Sequence, residues 1–159
     1  MNVRVKHEPS NLRADNDQAP PPTLDREQTR ARLKAIFERR EAGDIDGMLE
    51  FVAPDIVCFP ASTWGHARYP RPIVGKDAVR EAFLQRHINY VNMASTVHRI
   101  LVSGDEAVVH RTTSIRERGS QIAYTFDCVD FFRFRDGLVV EFQEFPDGSA
   151  YDAVINFPH

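Results

Sequence analysis

The stretch that decides the fold reads Tyr124-Thr-Phe-Asp-Cys-Val-Asp130-Phe-Phe-Arg-Phe-Arg-Asp-Gly137-Leu-Val-Val-Glu-Phe-Gln-Glu144-Phe-Pro-Asp147. It alternates with the period of two that a β-strand imposes and breaks at Asp136-Gly137. Before the break the even positions are Phe126, Cys128, Asp130, Phe132 and Phe134; after it they are Leu138, Val140, Phe142 and Glu144. The odd positions hold Asp127, Arg133, Arg135, Glu141 and Gln143 and suit solvent or a wet interface better. Each apolar set is interrupted by one acid. A carboxylate on a buried face is costly unless it is paired, hydrogen-bonded or protonated. Asp130 and Glu144 are therefore the first candidates for function.

Register decides whether they meet. A two-residue Asp136-Gly137 turn puts the two acids on opposite faces. A three-residue Arg135-Asp136-Gly137 loop with a left-handed glycine unites the apolar faces. The second choice predicts Asp130 opposite Phe142 and Glu144 opposite Cys128. The acids are then diagonal neighbours, with Cβ atoms roughly 7–8 Å apart.

Working outward, the strand around Ala107 to Arg116 has its more apolar face at Ala107, Val109, Arg111, Thr113 and Ile115. The loop Glu117-Arg-Gly-Ser120 joins that face to the even face of the next strand. Arg111 is thus expected near Phe126, on the side of Glu144, where its guanidinium can pair with the carboxylate or bind a substrate oxygen. The alternative is an Arg111–Glu144 ion pair that only fills space. His110 is expected to face the other way, towards a possible dimer interface.

Upstream, residues 1–24 are polar, end in a proline run and read as a flexible arm; residues 25–159 form one domain. A helix starts near Asp25, carries Leu33, Ile36 and Phe37 on its apolar stripe and stops at Gly43. A short helix from Asp44 buries Ile45, Met48, Leu49 and Val52 and ends at Pro54. Ile56 to Phe59 is a strand, and 60–75 is an irregular stretch holding Trp64, His66 and Tyr69. A loop that long is often a lid or binding loop. Lys76 to about Ile88 is a helix with Val79, Phe83 and Leu84 inward. Strands follow at about 94–103, 106–117, 121–135 and 138–145, with a short helix over 149–155. Helices first and an antiparallel meander afterwards is an α+β signature.

Composition narrows the function classes. A net charge of −3 without a basic cluster speaks against nucleic acid. No apolar run approaches the roughly 20 residues of a membrane span, and the N-terminus lacks a signal-peptide core. A cytoplasmic protein with no membrane partner is the expectation. Cys58 and Cys128 fall in strand-like apolar runs and read as reduced core thiols. No histidines have metal-ligand spacing, so no metal is expected.

Four segments in this order resemble the SnoaL-like branch of the nuclear transport factor 2-like superfamily. They are Ala42-Gly43-Asp44-Ile45-Asp46, Val52-Ala-Pro-Asp55-Ile-Val, Gly75-Lys-Asp-Ala-Val79 and Phe132-Arg-Phe-Arg-Asp-Gly137. The resemblance covers roughly residues 27–155. It implies a cone-shaped roll, with helices packed on a strongly curved, mostly antiparallel sheet around a pocket, and a homodimer.

Its members differ in chemistry, so their sites carry over one residue at a time. In SnoaL-type polyketide cyclases a catalytic aspartate stands just before an aromatic-Pro-Asp sequence, which here is Glu144; their histidine falls on Asp130. Limonene-type epoxide hydrolases place an acid at Glu144 and an arginine at Arg111, while their other strand aspartate becomes Thr113. Ketosteroid isomerases place a protonated, oxyanion-binding aspartate at Asp130, but their base maps to Pro60 and their tyrosine to Ile36. Each set is incomplete here.

The resulting expectation is a cofactor-free acid/base enzyme of cyclase, isomerase, dehydratase or epoxide hydrolase type. Its substrate is an apolar, oxygenated molecule of polyketide or terpenoid kind. Glu144, Asp130 and Arg111 carry the chemistry; Thr113, Phe126, Phe142, Trp64, Tyr69 and His66 bind substrate. The competing expectation is a non-catalytic ligand-binding or dimerisation module. An open cavity lined by both acids favours the enzyme, and a filled one the module.

Overall fold

The computed structural model describes residues 24–59 and 72–147. The arm up to residue 23, the loop residues Trp64, His66 and Tyr69, and the expected helix at 149–155 lie outside them. Helix α1 (Arg26–Glu41) begins where expected. Asp25 is its N-cap, accepting from the Gln28 amide while the Gln28 side chain bonds back to the Asp25 amide. It buries Thr29, Leu33, Ile36, Phe37 and Arg40, a stripe of helical period. Leu24, read as the last residue of the arm, instead packs against the core.

The chain turns at Gly43, with φ +72°, into the short α2 (Ile45–Leu49), capped by Asp44. Strand β1 (Val52–Phe59) comes next and corrects the sequence reading: Val52 and Pro54 belong to the strand, not to the end of α2. Proline is tolerated because pairing is interrupted there. The ladder between β1 and the last strand shifts register between Val52 and Val57. A second correction falls at the end of the 60–75 stretch, where β2 (Ile73–Val74) pairs antiparallel with Val57 and Cys58. Helix α3 (Lys76–Asn89) runs directly into β3 (Tyr90–Ser103), followed by β4 (Glu106–Glu117), β5 (Ala123–Arg135) and β6 (Leu138–Pro146).

The six strands form one curved sheet in the order β2-β1-β6-β5-β4-β3, antiparallel except for the β1–β6 pair. Its bulges, between β3 and β4 and between β5 and β6, are the kind that bend a sheet. The helices cover one face, where Leu33, Phe37, Met48, Ile56, Val109, Phe132 and Phe142 join the main core. This is the expected α+β architecture. Among the described residues no helix is long and apolar enough to cross a membrane.

The β5–β6 hairpin departs from the expected register. Its turn has two residues, Asp136 and Gly137, at φ +52° and +76°, and Arg135 pairs with Leu138. Asp-Gly suits such a turn because both central residues need positive φ. The apolar faces still meet because β6 inserts an extra residue: Phe134 faces Val139, but Arg133 faces Glu141. The bulge at Val140 undoes the slip that the short turn creates. Arg32 of α1 donates to the Gly137 carbonyl and ties the helix to this turn. Asp130 and Glu144 are therefore direct cross-strand partners, not diagonal ones.

Candidate active site: a buried arginine–carboxylate cluster beside an apolar cavity

Asp130 and Glu144 face each other on the covered side of the sheet, with Arg111 opposite Cys128 one strand away. Arg111 lies over Cys128, not Phe126, and holds both acids. Its Nε donates to Asp130 Oδ2 at 2.5 Å, and its Nη2 donates to Glu144 Oε1 at 2.7 Å and to Asp130 Oδ1 at 3.3 Å. The Phe37 ring covers its guanidinium, 5.1 Å from the ring centre. Asp130 is fully buried and Arg111 nearly so.

Two more arginines close on Glu144 from the helices. Arg40 of α1 donates through Nη2 to Oε1 at 3.1 Å, and Arg86 of α3 stands 3.6 Å from Oε2. Neither was singled out from the sequence, although a signal was present. Arg40 follows Ile36 by four residues and Phe37 by three, and Arg86 follows Phe83 by three. Each thus continues an inward stripe with a cation that must find a partner.

The environment drives the two acids apart. Burial pushes the Glu144 carboxyl up, but Arg40, Arg86 and Arg111 outweigh it and hold the group well below the usual carboxylate range. Burial raises the proton affinity of Asp130; Arg111 opposes this only in part, and the charge on Glu144 adds to it. Burial lowers the Arg40 guanidinium, against the pull of Glu144; arginine keeps its proton in proteins. Arg111 is stabilised as a cation by Asp130 and Glu144 in spite of burial.

An apolar cavity lies next to the cluster. Its wall is built from Ile36, Met48, Val79, Phe83, Phe132 and Phe142 with their neighbours, and the space between atoms totals about 430 Å³, mouth included. Phe132 and Phe142 are cross-strand partners, one rung along the same face from Asp130 and Glu144. Among the described residues neither acid lines the cavity, and Arg40 is its one charged wall residue. The cavity is thus neither filled nor, among the described residues, lined by both acids; the cluster reaches it through Arg40. The acids are covered because the arginines that satisfy them also stack on Phe37 and Phe83.

Residues 33–142 match the SnoaL-like domain family. The chain belongs to that family. A comparison with curated proteins by sequence finds no match. Among solved structures, the domain is similar to an NTF2-like protein of unknown function from Burkholderia pseudomallei, with TM-score 0.69 and 21% identity. That match covers 82% of this chain and 98% of the other. It is also similar to an LEH-like epoxide hydrolase from M. tuberculosis, with TM-score 0.63 and 14% identity over 78% and 86% of the two chains. A third likeness is to TerC, co-crystallised with polyporic acid, with TM-score 0.67 and 19% identity over 82% and 99%. At these identities the likeness is one of fold.

Within the SnoaL-like domain the remaining candidates divide. Phe142 is on the cavity wall. Thr113 is buried on the far side of the cluster, its hydroxyl 3.4 Å from Ser95 Oγ and from the Ala94 carbonyl. Phe126 pairs with Thr113 and packs in a separate small core with Ile115 and Cys128, flanked by Tyr90 and Tyr124. His110 is exposed on the opposite sheet face, its ring 5.0 Å from that of His98. Both cysteines are unpaired, buried and pushed up to about 12, Cys58 by burial and then Glu144, Cys128 by the same two causes, so neither is a nucleophile. Among the described residues no three His, Cys, Asp or Glu side chains converge as metal ligands.

Proposed function

We propose that this SnoaL-like protein binds a small, apolar, oxygenated molecule and performs cofactor-free acid/base chemistry on it. The reaction belongs to the isomerisation, cyclisation, dehydration or epoxide-hydration group. One observation carries the reading: Asp130, Arg111 and Glu144 form an acid–arginine–acid chain one rung from an apolar cavity. Two carboxyls with opposed proton affinities are what a general acid and a general base require. Glu144 is the ionised partner that takes a proton. Asp130 is the partner that donates a hydrogen bond to oxygen as charge develops there. Asp130 also supplies, from the neighbouring strand, the second acid on Arg111 that Thr113 cannot.

In this reading Phe142 holds the body of the substrate, and Trp64, His66 and Tyr69 are proposed as further substrate contacts; Thr113 and Phe126 stand beyond the cluster, away from the cavity wall. The test is turnover of a panel containing a terpenoid epoxide and an enolisable polyketide-like ketone, by wild type and Glu144→Gln. A loss of at least about a hundredfold is expected, the range of a positioned acid or base. Equal rates would remove Glu144 from the mechanism.

The competing reading, a ligand-binding module without catalysis, has its own support. Neither acid touches the cavity, and a carboxylate held by three arginines is a weak base. Ligand binding with no turnover of any panel member would favour it. Either function is compatible with a homodimer through the uncovered sheet face. There Leu101, Val108 and Phe131 stand in one cross-strand row, with Leu101 and Phe131 exposed. Phe131→Asp is expected to shift sedimentation from dimer to monomer; a wild-type monomer at micromolar concentration would end that part of the proposal.

A further inference from the structure

The charges of the cluster do not balance. Arg40, Arg86 and Arg111 set three cations against the two carboxyls of Asp130 and Glu144. At least one positive charge is left over even when both acids are ionised, and more when Asp130 holds a proton. Among the described residues no further acid pairs with Arg40 or Arg86. The Arg86 side chain is 29% exposed, so water reaches part of it; Arg40 is at 7% and turned to the cavity.

A buried cation without its counter-charge is expensive, and water in an otherwise apolar cavity relieves it poorly. Among the described residues Arg40 makes a single side-chain hydrogen bond, through Nη2 to Glu144, and its guanidinium has five N–H groups. Among the described residues the rest of the wall is aliphatic, aromatic, thioether or thiol. The cavity therefore offers an apolar surround with one cationic donor group at the edge facing the cluster.

We propose that the ligand of this cavity is an organic anion: an apolar ring or chain ending in a carboxylate, phenolate or enolate oxygen that Arg40 receives, with Arg86 beside it. The inference deepens the functional reading above and rests on it for the cavity as ligand site. It also gives that reading a trigger. An anion that draws Arg40 and Arg86 towards itself withdraws their charge from Glu144. The proton affinity of Glu144 then rises, and the group becomes a usable base only when ligand is present. No covalent step is implied by binding itself.

The experiment is calorimetric titration of the full chain with 2-naphthoate and with its neutral counterpart 2-naphthamide, at low and at high salt. Naphthoate is expected to bind at least about tenfold tighter, since charge-assisted bonds to a guanidinium outweigh neutral ones. Arg40→Met should reduce that preference to about threefold or less while circular dichroism shows the fold retained. If Arg40→Met does not fold, Arg86→Met, at a part-exposed position, should still cut the preference measurably. Equal affinities, tighter amide binding, no binding of either probe at millimolar concentration, or an undiminished preference in the variant that folds would each overturn the proposal. The catalytic reading fails separately: full turnover by Glu144→Gln leaves the naphthoate preference standing, and loss of that preference leaves the turnover test untouched.

Discussion

The β5–β6 hairpin carries ion pairs on both of its faces, and the two sets do opposite work. On the uncovered face Arg133 bonds Glu141 at 2.8 Å, and at the turn Arg135 bonds Asp55 at 2.7 Å. These pairs remain in contact with water, where pairing gains little over solvation. On the covered face Asp130, Glu144 and Arg111 have surrendered their water and depend on each other. A buried network is high-stakes: complete it is tolerated, and broken it leaves a bare charge in a poor solvent. Its members are therefore bound together as the surface pairs are not.

Arg111→Met sharpens the contrast most. It removes the guanidinium that holds both acids, and it should destabilise the protein by about 3–5 kcal/mol in urea denaturation. A loss below about 1 kcal/mol would mean that Arg40 and Arg86 alone satisfy the pair.

Next in size is the pH dependence of Glu144. Its folded-state proton affinity is depressed, so its stabilising contribution is fully present above the unfolded glutamate value of about 4.3. The contribution is lost as pH falls through the folded value. The stability advantage of wild type over Glu144→Gln should therefore shrink between pH 5 and pH 3. Asp130 works in the opposite sense: its raised affinity favours the folded state on acidification and penalises it as pH rises. Asp130→Asn should accordingly flatten the decline of stability that sets in as pH rises above the unfolded aspartate value of about 3.9, measured as urea midpoints from about pH 4 upward. An unchanged slope would place the ionised form of Asp130 in the resting protein. The smallest effect belongs to the surface: Arg133→Ala should cost less than about 1 kcal/mol, and less again at high salt.

The same contrast explains what could be read in advance. Alternation along Phe126 to Glu144 identified the buried face and the two acids that break it, because strand period is a local property. The Asp25 and Asp44 caps and the stop at Gly43 were equally local. The rung on which the acids meet was not, since it depends on a bulge at Val140 that offsets a two-residue turn. Either compensation could have been absent without any change in the alternation. Pro54 misled for the same reason: proline ends a helix by itself, but its place in β1 depends on where a neighbouring ladder is interrupted.

By itself, then, the sequence determined the α+β class, the family likeness, the covered faces of β4, β5 and β6 and the presence of Asp130, Glu144 and Arg111 upon them. Only the tertiary structure decided that Arg40 and Arg86 join them, that the acids sit behind rather than in the cavity wall, and that the cluster holds a surplus of positive charge. The physical reason is range. Periodicity and capping are settled within a few residues, whereas Arg40 and Glu144 are 104 positions apart, and their meeting follows only from how helix and sheet pack.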